Sequence, residues 1–411
     1  MKGVKKQKGR MFSAVSLFSG CGGLDFGFKK AGFKILWAND NDKDSVKTYS
    51  KNVSKDIILG DIRKTEKKEI PKNADVLLGG FPCQGFSVAN NKRNTKDERN
   101  LLYREMLDAI VSSQPKFFVA ENVKGILSLG GGKVIEMIMK DFKSIGYNVD
   151  KPFIINCAYY GVPQFRERVF IIGNRINAVN PFPKISHVNG IETPIPEFLK
   201  PNFKKLPKVI SVRKAIGNMP DPDSPEGKKI PNHYGRNNVK GHYMARKQDI
   251  NQAEICDYLR EWRKKAGITV SKIDEITGYD YAAGHWFRKD NNSGSIPKPE
   301  DWWKLKKILG FDDKYDKAVT ELELRKIKFE QTLRTTNWDR PSDTITASGS
   351  EIHVNKRRRL TIRECARLQS FPDNFIFTGS ISSQYSQVGN AVPPLMAKKI
   401  ALEIRKQLKS S

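Results

Sequence analysis

Between residues 14 and 174, short apolar runs alternate with amphipathic stretches, and this alternation constrains the fold more than any other feature. AVSLF (14–18), ILWAND (35–40), IILGD (57–61), ADVLLGGF (74–81) and KFFVAEN (116–122) read as buried strands. Between them LDFGFKKAGF, DSVKTYSKN and LLYREMLDAIVSSQ (101–114) carry apolar residues at helical spacing. VIEMIMKDFKSIG reads as a further helix, and FIINCAYY and VFIIGN read as strands after it. Strands that alternate with helices build βαβ units, and so a mostly parallel sheet covered on both faces. The expected fold class is α/β with a doubly wound sheet, and ligand residues belong at the carboxyl tips of its strands.

Past residue 175 the pattern changes. Residues 176–235 are rich in Pro, Asn and Lys, and residues 250–330 read as helical. RECARLQSF (363–371) is another helix, and NAVPPLMAKKIALEIRKQL (390–408) closes the chain as a helix with Pro at its start. The division expected is a first domain over 1–175, completed by 385–411, and a second, smaller domain over 176–384 with a helical insert at about 250–311.

Lys and Arg number 73 against 45 Asp and Glu, a net charge of +28 over 411 residues. Such an excess points to a polyanionic partner, nucleic acid first, although many of the Lys are spread along the whole chain. No apolar run approaches the ~18 residues that span a membrane. The five cysteines (21, 83, 157, 256, 365) are scattered, and none has metal-ligand spacing, so no metal is expected. Free thiols of this kind suit a soluble, cytoplasmic protein.

The strand tips carry the chemistry. FSGCGG (18–23) links the first strand to a helix, and its glycines allow backbone amides to approach a ligand. Asp40 ends the second strand, where a carboxylate binds ribose hydroxyls, and Asp61 ends the third. Each acid alone also fits a turn or helix cap. Together the three features favour a nucleoside cofactor. Cys83 follows the fourth strand behind Pro82 in GGFPCQGFS, where a loop can present a thiolate to a pocket. Cys21, Cys157, Cys256 and Cys365 lack such a setting and read as small structural residues. Glu121 stands at the end of the fifth strand in AENV, next in space to the Cys83 loop. QFRER (164–168) places Arg166 and Arg168 on the same side of an extended segment, able to hold an anion or a base carbonyl.

In this order FSGCGG, NDND, GDI, GGFPCQGFS, ENVKG, QFRERVF, RLTIRECARLQSFPDNF and QVGNAVP resemble the motifs of the cytosine-C5 DNA methyltransferases of bacterial restriction–modification systems. The likeness covers roughly residues 12–175 and 338–405. It implies a Rossmann-like catalytic domain dependent on S-adenosylmethionine, with Phe18, Gly20, Gly23, Asp40, Asp61, Pro82 and Asn390 lining the cofactor site. It further implies that Cys83 adds to C6 of a flipped cytosine, that Glu121 bonds N3 and the exocyclic amine, and that Arg168, with Arg166 beside it, is held over the base O2 and the Cys83 loop. Asp40 stands where many members carry Glu, and Asn41 where some carry an aromatic. The partner implied is duplex DNA, bound by a monomer; a cognate restriction endonuclease, where one exists, would act on the same site. A tRNA cytosine methyltransferase and an inactive DNA-binding regulator are the rival readings of the same fold.

The 176–384 region is then the target-recognition domain. Within it residues 259–311 carry the punctuation of a repressor-type helix-turn-helix: a helix ending at Ala266-Gly267, a short helix Val270–Thr277 closed by Gly278, and a third segment Tyr281–Lys289. In such a motif Tyr281, His285 and Arg288 face base edges in the major groove; a helical insertion that only packs is the alternative. Trp262, Trp286, Trp302 and Trp303 read as core of this insert. Lys92 and Arg93, in the basic loop after Cys83, and Arg357 and Arg358, in a basic run, are candidates for DNA contact.

Overall fold

The computed structural model describes residues 11–82, 102–188, 206–235, 252–278, 286–287, 297, 299–323, 334–349, 351–354 and 358–411. Strands β1 (Phe12–Leu17), β2 (Phe33–Asp40), β3 (Ile57–Leu59), β4 (Val76–Gly79), β5 (Phe117–Val123), β6 (Asn148–Val149), β7 (Phe153–Asn156) and β8 (Glu167–Asn174) form one sheet. Its order is β3-β2-β1-β4-β5-β8-β6, with β7 also paired to β8. The first five strands in that order run parallel, and β8 is antiparallel to β5. Chain order reverses between β1 and β4, and a doubly wound sheet opens its ligand crevice at such a point.

Alternation along each strand divides the core between two faces. Phe117 and Val119 join one cluster with Val76, Leu78, Phe170 and Ile172, while Phe118 and Ala120 join the other with Leu77, Val169 and Ile171. The first face is covered by α1 (Gly23–Lys30), with α2 (Lys43–Asn52) beside it, and the second by α3 (Leu102–Ser113) and α4 (Lys133–Ser144). Then come α5 (Val212–Ile216), α6 (Pro225–Lys228), α7 (Gln252–Ala266), α8 (Val270–Thr277), α9 (Pro299–Leu309), α10 (Asp316–Glu323), a two-stranded pair β9 (Arg334–Thr335) and β10 (Glu351–Ile352), α11 (Ile362–Leu368), α12 (Ile381–Asn390) and α13 (Pro394–Ser410).

The first face is completed from far along the chain. Val212, Ile345, Leu360, Cys365, Tyr385 and Ile400 all belong to the cluster that contains Ala14 and Val76. The C-terminal return therefore packs on the sheet well before residue 385. A third, separate cluster holds Ile255, Leu259, Ile273, Trp286, Trp302 and Leu305 from the helical insert, joined by Val319 from α10 just beyond it. Trp262 packs against this cluster, but Trp303 is 43% exposed, with the Lys306 ammonium 5.4 Å from its ring centroid. It lies on the insert's surface and not in its core.

Two sequence expectations change. CAYY does not continue β7: the Asn156 side chain accepts from the Ala158 amide and starts a 3₁₀ turn over Cys157–Tyr160. The closing helix begins at Pro394, not at residue 390, and Asn390 instead ends α12. Prolines lack the amide a helix interior needs, so the Pro393-Pro394 pair separates the two helices.

Helix α1 lies against α13 through glycines. A Cβ on Gly23 would collide with the Val392 carbonyl, and one on Gly27 would sit 2.6 Å from the Pro394 carbonyl. Gly23 is thus required by packing of the C-terminal return as well as by its place in the loop. Gly27→Val should lower stability by about 1–3 kcal/mol, the usual range for overpacking. A urea melt that matches wild type would show that this approach does not constrain the fold.

Candidate active site

A cleft of about 1140 Å³ opens at the strand tips. Phe18, Gly20, Gly23, Asp40, Asp61, Pro82 and Asn390, the seven residues expected at a cofactor, all line it, and so does Glu121. Its wall is built from the tips of β1 to β5 and from Ser382, Ser386 and Gln387 on α12. Phe18 adopts a left-handed φ of 54°, which turns the chain sharply out of β1. The Gly20 amide donates to Asp40 Oδ2 at 2.7 Å, and the Asp42 amide donates to Oδ1 at 2.9 Å. Each Asp40 oxygen keeps lone-pair capacity for a sugar hydroxyl. Burial raises the Asp40 pKa, against the pull of those two amides. Asp61 instead faces Arg63, with its Oδ2 2.6 Å from a guanidinium nitrogen, and this pairing lowers its pKa. The Asn39 amide donates to the Gly60 carbonyl at 2.9 Å and so sets the tip of β3 beside that of β2.

At the other end of the cleft, Glu121 and Arg168 form an ion pair of 2.9 Å, both side chains 11% exposed. Burial raises the Glu121 pKa, while Arg168 and Arg166 oppose it. Glu121 lines the main cleft, and Arg168 lines a smaller hollow of about 510 Å³ with Asn156, Phe165 and Thr344. The pair therefore stands between the two spaces. Gly80 lies against this carboxylate: a Cβ there would be 3.2 Å from Glu121 Oε2. The neighbouring Asn122 amide donates to the Phe81 carbonyl at 3.0 Å, which ties the Pro82 loop to β5. Cys83, Lys92 and Arg93 lie outside the described residues, as do Tyr281, His285, Arg288 and Arg357.

Two arginines stand differently from expectation. Arg166 is fully buried and does not line the cleft. Its guanidinium donates to the carbonyls of Ile345 at 3.1 Å, Gly389 at 2.7 Å and Ala391 at 3.1 Å. It fastens the segment that carries Asn390, and its charge also acts on Glu121. Arg358 turns inward: its guanidinium makes two bonds to Glu364, at 2.7 and 2.8 Å, with that carboxylate also accepting the Thr361 amide of a capping box.

Sequence reading missed several groups that build the site. Gln164 donates to Gln369 Oε1 at 3.0 Å and accepts from the Ile345 amide at 2.9 Å. Gln369 in turn donates to the Val388 carbonyl at 2.8 Å. Asp25 was also missed. Its signal was present, an acid within the apolar stretch GLDFGF.

Residues 12–406 match the C-5 cytosine-specific DNA methylase family. The chain belongs to that family. Type II methyltransferase M.AgeI of Thalassovita gelatinovora is 31% identical, over 95% of this chain and 98% of its own. Type II methyltransferase M.MthTI of Methanothermobacter thermautotrophicus is 32% identical, over 96% and 97%. Among solved structures, a prophage-encoded protein of E. coli superposes with a TM-score of 0.58 at 21% identity, and S. pombe Dnmt2 methyltransferase with 0.51 at 14%. Each covers 97% of this chain and 99% of the other, and at these identities they speak for the fold alone. As a member of this family the protein is a cytosine-C5 methyltransferase.

Removing one partner from a buried pair leaves an uncompensated charge. Arg168→Met should therefore destabilise the methylase by about 3–5 kcal/mol. Glu121→Gln with Arg168→Met should recover most of the loss. Equal denaturant midpoints for the single variant and wild type would mean that the pair is not held as described.

Proposed function

We propose that the methylase transfers a methyl group from S-adenosylmethionine to C5 of a cytosine flipped out of duplex DNA. The observation that carries this reading is the single cleft that joins the Gly20–Asp40 loop to the Glu121–Arg168 pair beside Pro82. Its volume exceeds what a nucleoside cofactor fills, which leaves room for a base. Phe18, Asp40, Asp61 and Asn390 would hold the cofactor, which supplies an electrophilic methyl when bound.

C5 of cytosine is too weak a nucleophile to take that methyl unaided. Addition of the Cys83 thiolate at C6 turns the ring into an enamine with electron density on C5. Glu121, kept protonated more readily than a free carboxyl by its burial, donates toward N3 as charge builds there. Arg168 fixes that carboxyl from the side of the smaller hollow. After transfer a base takes the C5 proton, and the C6–S bond breaks to return the thiolate.

The insert, with its own core of Leu259, Ile273, Trp302 and Leu305, supports a recognition module held apart from the catalytic sheet. Thr269 caps α8 through the Lys272 amide, and Gly278 closes it with φ 74°, as a helix-turn-helix requires. On this reading Tyr281, His285 and Arg288 face base edges, Lys92, Arg93 and Arg357 contact phosphates, and the methylase acts as a soluble cytoplasmic monomer. Among the described residues no helix is long and apolar enough to cross a membrane, and no cluster of His, Cys, Asp and Glu could hold a metal.

Labelled methyl groups should pass to plasmid DNA and not to tRNA; transfer to tRNA alone would reverse the substrate. Glu121→Gln should slow single-turnover transfer by roughly 10²–10⁴-fold. An unchanged rate would remove Glu121 from the chemistry. Deletion of residues 250–311 should erase sequence preference in bisulfite-mapped products while cofactor binding persists. Retention of preference would make the insert a packing element.

A further inference from the structure

Asp25 has no part in the chemistry above. It lies in the first turn of α1, fully buried, yet it forms part of the cleft floor. Its Oδ1 accepts the Ser16 hydroxyl at 2.8 Å, and its Oδ2 accepts the Tyr49 hydroxyl at 2.6 Å. The Ser19 hydroxyl donates to Ser16 Oγ at 3.0 Å, so hydrogen bonds run from the Gly-rich loop to the carboxylate. Both partners are neutral hydroxyls, and no ion pair joins it to a Lys, Arg or His among the described residues. A carboxylate removed from water normally neutralises or gains a cation. Tyr49, Ser16 and the N-terminal end of α1 favour the anion, whereas burial, first, and Asp40 push its pKa up to about 6. At neutral pH it is ionised beneath the cleft without a protein cation.

We propose that Asp25 is a specificity-determining residue: its buried carboxylate is the counter-charge for the sulfonium of S-adenosylmethionine and weights the cleft toward cofactor over the uncharged thioether product. This rests on the reading of the cleft as an S-adenosylmethionine site. Cofactor and S-adenosylhomocysteine differ by one methyl and one positive charge, so the ratio of their affinities isolates the field at sulfur. Asp25 acts through space and needs no contact with either ligand. Release of the spent cofactor then becomes easier than release of the fresh one.

The groups that face Asp25 are Tyr49 on α2, Asp40 at the tip of β2 and the Cys21 thiol in the loop. Burial holds the Tyr49 pKa well above 10 and pushes that of Cys21 up to about 12, so both stay neutral in the range of interest. Asp40 is the one acid that titrates beside it, and comparison with an Asp25 variant separates the two.

Calorimetric affinities of the full-length enzyme for S-adenosylmethionine and S-adenosylhomocysteine, from pH 5 to 7.5, test the proposal. In wild type the preference for the cofactor should rise roughly three- to tenfold as pH passes about 6. Asp25→Asn should remove most of that rise. Tyr49→Phe takes away a donor to the anion, so it should move the rise to higher pH and leave its upper plateau in place. This second variant decides the matter if Asp25→Asn does not fold. An unchanged rise in Asp25→Asn, equal weakening of both ligands, or a Tyr49→Phe profile that does not move would overturn the role. Binding of neither ligand to wild type would overturn the cofactor reading as well, whereas tight binding with a flat ratio sinks Asp25 alone.

Discussion

The cleft depends on a buried polar clamp. Gln164 and Arg166, just before β8, reach across to carbonyls and amides of residues 345, 368, 389 and 391. Both side chains are fully buried, so each lost bond would leave a desolvated group unpaired. Those bonds draw the C-terminal return onto the first face of the sheet, where Ile345, Val388 and Ile400 complete the same core as Ala14 and Val76. Without the clamp the cleft would keep its floor of strand tips and lose the wall that carries Ser386 and Asn390.

On that scaffold two kinds of acid share one space. Asp40 and Asp25 sit near the Gly-rich loop, held by amides and hydroxyls. Glu121 sits at the opposite end, held by a guanidinium. Burial raises the pKa of all three, but among the described residues Glu121 alone of them has a cation paired with it. The loop end therefore carries net negative character, and this suits a cationic cofactor. At the Glu121 end one carboxyl and one guanidinium are fixed against each other, which suits a base with both donors and acceptors on its edge.

The catalytic half was legible in the sequence because strands such as β5, buried on both faces, read as apolar runs, and strand tips fall where Asp40, Asp61 and Glu121 appear. IILGD read as buried too, but β3 is an edge strand with Ile58 and Leu59 exposed. Arg166 was not legible as a clamp. Its spacing from Arg168 placed both on one side of an extended segment, but nothing local says that the first meets carbonyls about two hundred residues onward. Arg358 read as a candidate DNA contact in a basic run for the same reason, since Glu364 claims it only once Thr361 caps α11. The CAYY turn was hidden by apolar content, and Asn156 was the local clue. The helices at 252–266 and 270–277 were legible from their glycine punctuation.

The central claim is that a sulfur on the loop after β4 bonds transiently to a cytosine in this cleft. The most direct measurement is mass spectrometry of the enzyme incubated with S-adenosylmethionine and a duplex that carries 5-fluorocytosine at its target. The account predicts a stable covalent complex whose digested peptide maps to Cys83. No adduct, or an adduct through Cys21, Cys157, Cys256 or Cys365, would contradict it.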